Sequence, residues 1–380
     1  MRFIYLDYAA STPIAASVQD AMSAFYNDHV AHPNSQHWAG RAVQEAIEDA
    51  RSHVATLLKC HPTEILFTSG GTESNNLALL GLARSLHPDT STLTQPPEIL
   101  VSPLEHACVL ECCRFLSTQG WKVKTVGCDK SGVIDLDQLN DAISETTRIV
   151  SVMHASHRIG TLQPIPAIAE ICHSRDIFLH TDACQSVGKT PISMDELGAD
   201  LLTLSGHKMY APKGIGALYI KSGTPVAPML FGETAESGLR PGTANVAHIV
   251  ALGQSCKLAH SGVEQSAIQL ATVRNRFLEL LQKALGREIQ VHGAAAERVT
   301  SILSICLPGI NANNLRRALP EICFSIEQDN QCTSNQDSLL EIGLTQEESQ
   351  STLRFSFGWN TSEEELQQAT QMLATACDNA

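Results

Sequence analysis

The sequence predicts an α/β protein built on a mostly parallel β-sheet, with a smaller α+β region towards the C-terminal end. Strand and helix patterns alternate along much of the chain, and the strands are near-continuous apolar runs, as in parallel sheets covered by helices on both faces. A long helical pattern from Asn245 to Leu281 then leads to the smaller region. We therefore expect a large domain of residues 15–260 and a small domain of residues 1–14 and 261–380.

The composition is that of an ordinary globular protein, with 43% hydrophobic and 17% charged residues among 380. A formal charge of −14 argues against broad nucleic-acid binding, and no run is long and apolar enough to cross a bilayer. The chain reaches Asp7 before a secretory signal could form. The twelve cysteines lack disulfide-framework or metal-site spacing, so we expect reduced thiols, no metal centre and a cytoplasmic location.

The individual elements follow from apolar periodicity and from the turn residues between the runs. Strands are predicted at Ile4–Tyr8, Glu64–Phe67, ILVS from residue 99, WKVKTVGCD, Ile149–His154, DIFLHTD ending at Asp182, the apolar run from Leu201, Thr300–Leu307 and Leu353–Phe357. Helices are predicted at Ala15–Asn27, Arg41–Leu58, LALLGLARSL, the run after His106, Leu136–Glu145, Ala167–Ser174, Asn245–Leu281 and Glu363–Ala376. The polar stretch FSIEQDNQCTSNQDS follows neither period.

Four polar residues fall at the predicted ends of strands: His106, Asp182, Gln185 and Lys208. Ligands of open parallel sheets bind at the carboxyl ends of the strands. We therefore expect these side chains to form a single site.

The stretch TSGGTESNN joins a predicted strand to a predicted helix. The backbone N–H groups of Ser69–Ser74 would lie at the helix N-terminus, where glycines permit close approach by an anion or phosphate. The stretch is neither a Walker A loop nor a GxGxxG motif. Taken alone, it is explained more simply by helix capping.

These features together meet the needs of pyridoxal phosphate. A lysine at the end of a buried strand is easily desolvated, and its amine can hold the aldehyde as a Schiff base. An aspartate can pair with the pyridine nitrogen and make the ring an electron sink, while His106 can pack on the ring face. Each residue also has an ordinary explanation: Lys208 as a surface lysine, Asp182 as a helix cap, His106 as a core histidine.

The motifs FTSGGTESNN, LEHACVLE, HTDACQSVGK, SGHKMYAPKGIGALYI and GLRPGTANV resemble those of the NifS/IscS cysteine desulfurases. The resemblance extends from LDYAAST near the start to LRFSFGWNTSEEEL near the end. It implies pyridoxal-phosphate fold type I, as in class V aminotransferases, with a mostly parallel seven-stranded sheet. It also implies pyridoxal phosphate as cofactor, L-cysteine as substrate and a homodimer.

The resemblance assigns roles to the matching residues. Lys208 becomes the Schiff-base lysine, Asp182 the partner of the pyridine nitrogen, and His106 the ring-stacking residue. The resemblance also implies that Gln185 contacts the ring oxygen. It implies phosphate contacts for Gly71, Thr72, Ser205 and His207, and for Thr243 with the phosphate of the other subunit. Arg354 and, more weakly, Asn34 are implied to contact the substrate. Arg354 would grip the substrate carboxylate bidentately, a geometry that suits guanidinium.

The QCTS segment at residues 331–334 matches the family's cysteine-threonine-serine signature, which makes Cys332 the nucleophile. In the family, this cysteine takes sulfur from the bound substrate as a persulfide, alanine is released, and the sulfur passes to an acceptor protein. A polar, aperiodic loop suits a thiol that must move between cofactor and acceptor. The ordinary alternative is an incidental loop cysteine.

One departure from the family lies at the predicted cofactor wall. Residues 156–158 read Ser-His-Arg where the family usually has Asn-Asn-Glu. His157 can still donate a hydrogen bond to the ring oxygen, but its protonation depends on pH whereas that of an amide does not. The segment FGETAESG is a further departure, and it leaves the arrangement of Arg240 and the dimer contact open.

A second departure surrounds the nucleophile, where Glu327, Asp329 and Asp337 add negative charge. Like charge raises the pKa of a thiol and disfavours its thiolate. We expect Arg158 or His157 to offset this charge when the loop docks. The alternative is that the acids are solvated and Arg158 faces water.

The sequence thus predicts a cysteine desulfurase, in a specialised pathway such as DNA sulfur modification or in iron–sulfur cluster assembly or tRNA thiolation. A related lyase acting on selenocysteine or cystine, or an aminotransferase, would use the same cofactor without needing Cys332. A weakly active scaffold that recruits partners would release little alanine or sulfide from L-cysteine.

Overall fold

The computed structural model describes residues 3–87, 94–233, 235–326 and 338–378. The strands are β1 (Ile4–Tyr5), β2 (Ile65–Thr68), β3 (Glu98–Val101), β4 (Lys122–Thr125), β5 (Thr147–Ser151), β6 (Phe178–Asp182), β7 (Leu201–Ser205), β8 (Gly216–Ile220), β9 (Gln290–Val291), β10 (Ile302–Cys306), β11 (Ile322–Cys323), β12 (Ser325–Ile326) and β13 (Thr352–Ser356).

The helices are α1 (Ala16–Asn27), α2 (Trp38–Leu58), α3 (Gly71–Asn76), α4 (Leu82–Leu86), α5 (Ala107–Thr118), α6 (Leu136–Ala142), α7 (Ile165–His173), α8 (Met194–Leu197), α9 (Val246–Leu285), α10 (Ala312–Ala318), α11 (Ser338–Glu341), α12 (Gln346–Gln350) and α13 (Glu363–Asp378). A π-helical turn, Leu77–Gly81, joins α3 to α4. None of the described helices combines the length and the apolar character that a membrane crossing requires.

A seven-stranded sheet with the order β2-β8-β7-β6-β5-β3-β4 forms the centre of the larger part. Neighbouring strands from β7 to β4 run parallel, whereas β8 lies antiparallel to both β7 and β2. This arrangement confirms the predicted class of fold, a mostly parallel seven-stranded sheet.

The strands of this sheet are buried on both faces. In β3, Leu100 packs in a core cluster with residues of α2, α7 and α9, while Ile99 and Val101 pack in another with residues of α4 and α5. Successive side chains of a strand point to opposite faces, so both faces carry apolar side chains under helices. This explains why the strands are continuous apolar runs.

The smaller part is built on an antiparallel sheet with the order β12-β13-β10-β9. Its core cluster combines Ile4 and Leu6 from the chain start with apolar residues from Leu270 onwards. The 40-residue helix α9 packs on α1 and α2 as well as on α13. The predicted domain boundary at residue 260 falls inside this helix and stays a prediction.

The segment between β1 and α1 runs along both parts. Ala9 N–H donates to Ser356 Oγ of β13 at 2.8 Å, while Thr12 N–H donates to His207 O at 2.8 Å. Asp7 forms an isolated parallel bridge with Ser356. Residues 7–12 therefore form one wall where the ends of β6 and β7 face the smaller part.

Candidate active site

A cavity of about 400 Å³ lies beyond the carboxyl ends of β6 and β7, within the range typical of small-molecule sites. Its lining includes ten of the predicted site residues: Gly71, Thr72, His106, His157, Asp182, Gln185, Ser205, His207, Lys208 and Arg354. Asp182 ends β6 and Ser205 ends β7. The polar residues that the sequence places near strand ends, His106, Asp182, Gln185 and Lys208, therefore line one cavity.

Lys208 ends the 3-10 turn Gly206–Lys208, which follows β7 directly. Gly206 N–H donates to Ile215 O at 3.0 Å, and Met209 N–H donates to Gly206 O at 2.9 Å. A third contact, from Thr12 N–H to His207 O, ties the turn to the N-terminal segment. Lys208, held at the end of this turn, lines the cavity.

Asp182 is buried and its carboxylate has defined donors. Cys184 N–H donates to Oδ1 at 2.9 Å and Asn75 Nδ2 donates to Oδ2 at 2.7 Å. Burial alone would raise the pKa of this carboxyl, but the positive charge of Lys208 and these hydrogen bonds hold the pKa below its usual value. The group is therefore an anion at neutral pH, as a partner for a protonated ring nitrogen must be.

His106 caps the N-terminus of α5 and lies beyond Val101, where β3 ends. Its Nδ1 accepts from Cys108 N–H at 3.2 Å and lies 3.0 Å from Cys108 Sγ. Burial and the charge of Lys208 lower the pKa of His106. The prediction of His106 at a strand end is corrected to a helix cap, which brings the same side chain into the cavity.

His157 lies edge-on to His106, with ring centroids 5.7 Å apart and planes at 67°. Burial, with the charge of Arg158 next, lowers the pKa of His157 well below its usual value. The imidazole is therefore neutral across the ordinary pH range. The expected pH dependence of this donor is wrong for that reason, although a neutral imidazole still carries one N–H.

Gln185 lines the cavity with both ends of its amide engaged. Nε2 donates to Ala9 O at 2.8 Å, and Oε1 accepts from Lys189 Nζ at 2.9 Å. The Nε2 group has a second hydrogen, which can serve a ligand in the cavity.

Arg354 of β13 is buried and already binds groups of the protein. Nη1 donates to His157 O at 2.7 Å, and Nη2 donates to Asp7 Oδ1 at 3.0 Å and to Ser325 Oγ at 2.7 Å. Within the described residues its buried Nε has no hydrogen-bond partner. Since both hydrogens of Nη2 are committed, the predicted bidentate grip on a carboxylate through Nη2 requires Asp7 or Ser325 to be displaced.

The predicted phosphate cradle precedes and opens α3. Gly70 has φ of +148°, and a Cβ on Gly71 would lie 3.0 Å from Cys184 Sγ, so both positions favour glycine. The Ser69 N–H is already bound by Glu73 Oε2 at 2.7 Å, and Glu73 Oε1 accepts from Arg240 Nε at 3.0 Å. This ion pair is the arrangement of Arg240 that the sequence left open.

His207 and Ser205 line the same cavity as the cradle, and a Cβ on Gly71 would lie 3.7 Å from Ser205 Cβ. His207 Nδ1 is 3.2 Å from Ser11 Oγ. Burial and the neighbouring Lys208 lower the pKa of His207 to about 4, so its ring is neutral and can act as one donor to an anion.

Two predicted residues lie elsewhere within this chain. Asn34 and Thr243 line a second, larger cavity of about 690 Å³. Its lining includes an ion pair, in which Glu236 accepts from Arg51 Nη1 and Nη2 at 2.8 Å each. Although this cavity is the larger of the two, we do not take it as the active site, because its described lining contains neither a lysine nor Asp182.

Cys332 lies outside the described residues, as do Glu327, Asp329 and Asp337. The assignment of the nucleophile and the expected compensation by Arg158 or His157 therefore stay predictions. Among the residues that the structure does describe, no cluster of three or more His, Cys, Asp or Glu could hold a metal ion.

The structure adds cavity residues that the sequence reasoning did not assign: Asp7, Ala9, Ala10, Asn75, Cys108, Cys184 and Ser325. One of them had a readable signal. Asn75 follows Thr72 by three positions, which places both on one face of a helix.

Comparison with known proteins identifies the family. A family model described as Aminotransferase class-V matches residues 4–369. The chain is 35% identical to Cysteine desulfurase IscS of Dictyoglomus turgidum, over 98% of this chain and 94% of that one. The chain therefore belongs to the class-V aminotransferase family, and within it to the IscS and NifS-like cysteine desulfurases.

Solved structures agree with this placement. One described as a NifS-like protein matches with a TM-score of 0.91 and 30% identity over the whole of both chains. Another, SspA in complex with cysteine, matches with a TM-score of 0.81 and 33% identity, over 93% of this chain and 98% of that one. The resemblance drawn from the motifs is confirmed.

Proposed function

We propose that this protein is a pyridoxal-phosphate-dependent cysteine desulfurase that uses Cys332 as its sulfur carrier. The overall reaction converts L-cysteine and the Cys332 thiol to L-alanine and a Cys332 persulfide. An S–S bond forms, the Cβ–S bond of the substrate breaks, and its electron pair stays on carbon, which takes a proton. No external oxidant or reductant is needed until the persulfide is passed on.

The observation that carries the proposal is the meeting of Lys208, Asp182 and Arg354 in one cavity of about 400 Å³. The donor set fits pyridoxal phosphate, because a buried anionic carboxylate faces the same space as an amine. Lys208 would hold the aldehyde, Asp182 the ring nitrogen, and Gly71, Thr72, Ser205 and His207 the phosphate. When bound, the cofactor supplies an electron sink for the substrate's carbon.

The protein's own residues then orient and shield the reactants. His106 lines the cavity. Because its Nδ1 accepts from Cys108 N–H, the neutral imidazole carries its proton on Nε2. Gln185 and His157 would donate to the ring oxygen. Arg354 would bind the substrate carboxylate, exchanging its contact with Asp7 or Ser325 for the ligand.

The test of the sulfur carrier is mass spectrometry of protein incubated with pyridoxal phosphate and L-cysteine. We expect one extra sulfur atom on the Cys332 peptide and release of alanine. Cys332→Ser should lose both, while the control Cys377→Ser, which removes a partly exposed thiol elsewhere in the chain, should keep them. Alanine release that survives Cys332→Ser would contradict the desulfurase and favour a lyase without a thiol nucleophile.

We also propose that the protein is a homodimer in which Thr243 reaches the phosphate site of the other subunit. Support comes from the surface around the second cavity, where Phe231 and Leu230 are 73% and 50% exposed. Large exposed apolar groups of this kind mark interaction surfaces. Asn34 lines the same cavity. If Asn34 contacts the substrate, it would therefore do so in the active site of the other subunit.

The dimer is tested by light scattering together with cofactor titration. We expect twice the chain mass for the wild type, and a dimeric Thr243→Val variant that binds pyridoxal phosphate about tenfold more weakly, as loss of one charge-assisted hydrogen bond implies. Thr272→Val on the exposed face of α9 is the matched control. A monomer that binds the cofactor normally, or unchanged affinity in Thr243→Val, would refute the proposal.

A further inference from the structure

A second amine, that of Lys189, lies close to Lys208 but outside the lining of the active-site cavity. Lys189 lies in the turns that follow β6, and it lines a small space together with Lys208. Its Nζ donates to Gln185 Oε1 at 2.9 Å. The proposed reaction gives this amine no task, so its place beside the reacting centre calls for another explanation.

The partners of Gln185 determine which way its amide points. The two ends of an amide have nearly the same shape, so their hydrogen bonds decide the orientation. Ala9 O can only accept and therefore holds Nε2 at 2.8 Å, while Lys189 Nζ donates to Oε1. In this orientation the remaining N–H of Nε2 is available to an acceptor in the cavity, and Oε1 is kept away from it.

The charges around Lys189 favour a neutral amine. The positive charges of Lys208, after β7, and of Arg354, in β13, disfavour its ammonium form, whereas Cys184 acts in the opposite direction. His207 also interacts with Lys189 electrostatically. Although Lys189 retains some exposed surface, burial of the amine, with the charge of Lys208 next, lowers the pKa of Lys189 to about 7. A neutral amine keeps its N–H donors, so the contact with Gln185 does not depend on the charge.

We infer that Lys189 is a positioning residue of the cofactor site, which orients the Gln185 amide so that its free N–H meets the ring oxygen of pyridoxal phosphate. The inference rests on the proposed function, because that function supplies the ring oxygen. Lys189 acts through Gln185 and does not itself touch the cofactor. A reversed amide would place Oε1 against the ring oxygen, where two acceptors repel.

The test uses Lys189→Met, which keeps the length of the chain and removes the donor, with Lys257→Met on the exposed face of α9 as control. Titration of apoprotein with pyridoxal phosphate should show about tenfold weaker binding for Lys189→Met, the effect of one lost hydrogen bond. The visible absorption maximum of the bound cofactor should shift as well. Lys257→Met should match the wild type in both.

A double-mutant cycle separates orientation of Gln185 from a general structural role. In a Gln185→Ala background, Lys189→Met should weaken cofactor binding less than about twofold, since nothing is left to orient. Equal losses in both backgrounds, or no loss in the wild-type background, would overturn the inference. Lys189→Leu carries the same expectations if Lys189→Met does not fold. A wild-type protein that fails to bind pyridoxal phosphate would overturn the proposed function itself.

Discussion

At the residue scale, burial disfavours the charged form of both Asp182 and His157. The two side chains nevertheless end in different charge states. Asp182 stays ionised because Lys208, Asn75 and Cys184 N–H compensate, whereas His157 has positively charged neighbours and becomes neutral. The cavity therefore holds a fixed anion for a ring nitrogen and neutral imidazoles around it.

Lys189 provides a prediction about stability and pH. Its pKa is about 7 in the fold against 10.5 for the free side chain, so the unfolded chain binds more protons between these values and stability rises with pH there. Below pH 7 the fold bears the full cost of a buried ammonium. Lys189→Met should therefore raise the melting temperature of the apoprotein by about 2 °C at pH 6.

The gain should shrink as the pH approaches 10, because the lysine is then neutral in the fold and increasingly neutral in the unfolded chain. Calorimetry of wild type and variant at pH 6, 8 and 10 measures this trend. A gain that grows with pH, or a loss confined to low pH, would show that Lys189 is not a buried amine with a lowered pKa. Lys257→Met should show no such trend.

Sequence reasoning brought together the residues whose position follows from the end of a strand. Asp182 and Lys208 were predicted because strand ends in parallel sheets converge. The contact between Lys189 and Gln185, and the donation by Asn75 to Asp182, were not predicted. They depend on side-chain directions in turns, which apolar periodicity does not specify.

At the element scale, regular helices and strands were easier to predict than the turns between them. Helix 16–27 and strand 178–182 match their predicted elements closely, because each is a strong pattern bounded by turn residues. The π-helical turn Leu77–Gly81 was not predicted. It lies within LALLGLARSL, an apolar run in which a change of helical pitch leaves no polar marker.

The turn after β7 is secured from outside by an aromatic pair. Tyr210 has φ of +64°, a conformation that costs a non-glycine residue about 1 kcal/mol. Its ring stacks on Trp359, with centroids 3.7 Å apart and planes at 14°, and its hydroxyl accepts from Trp359 N–H at 2.9 Å. The contacts with Trp359 thus stabilise the strained backbone of Tyr210, two residues after Lys208.

We expect Trp359→Ala to lower the free energy of unfolding by about 2 kcal/mol, from lost stacking and burial, and to weaken cofactor binding. Trp359→Phe keeps a ring against Tyr210 and should lose about 1 kcal/mol, since only the bond from Nε1 to Ser266 Oγ disappears. Urea denaturation measures both. Equal losses in the two variants would show that the stacking contributes nothing.

At the scale of the whole molecule, the active site is assembled from both parts of the chain. Lys208 and Asp182 come from the seven-stranded sheet, whereas Arg354 comes from β13 of the smaller sheet. Residues 7–12 join them, with contacts to Ser356 on one side and to His207 on the other. The proposed binding of substrate at Arg354 would therefore be sensitive to how the smaller part sits on the larger one.

The fold and the centre of the site could be predicted from the sequence because both depend on short segments with strong patterns. Thr243 and Asn34 could not be placed by the same reasoning, since one chain brings them to a different cavity from Lys208. Their predicted roles require a second copy, and no pattern within one chain specifies how two copies meet. The competition of Asp7 and Ser325 for Arg354 likewise arises only when distant segments fold together.

The central claim is that Lys208 holds pyridoxal phosphate covalently, and reduction of the loaded protein with borohydride followed by peptide mapping tests it directly. We predict a pyridoxyl group on the peptide that contains Lys208, and loss of this label in Lys208→Ala. A label found instead on Lys189, or a protein that takes up no cofactor, would contradict the account.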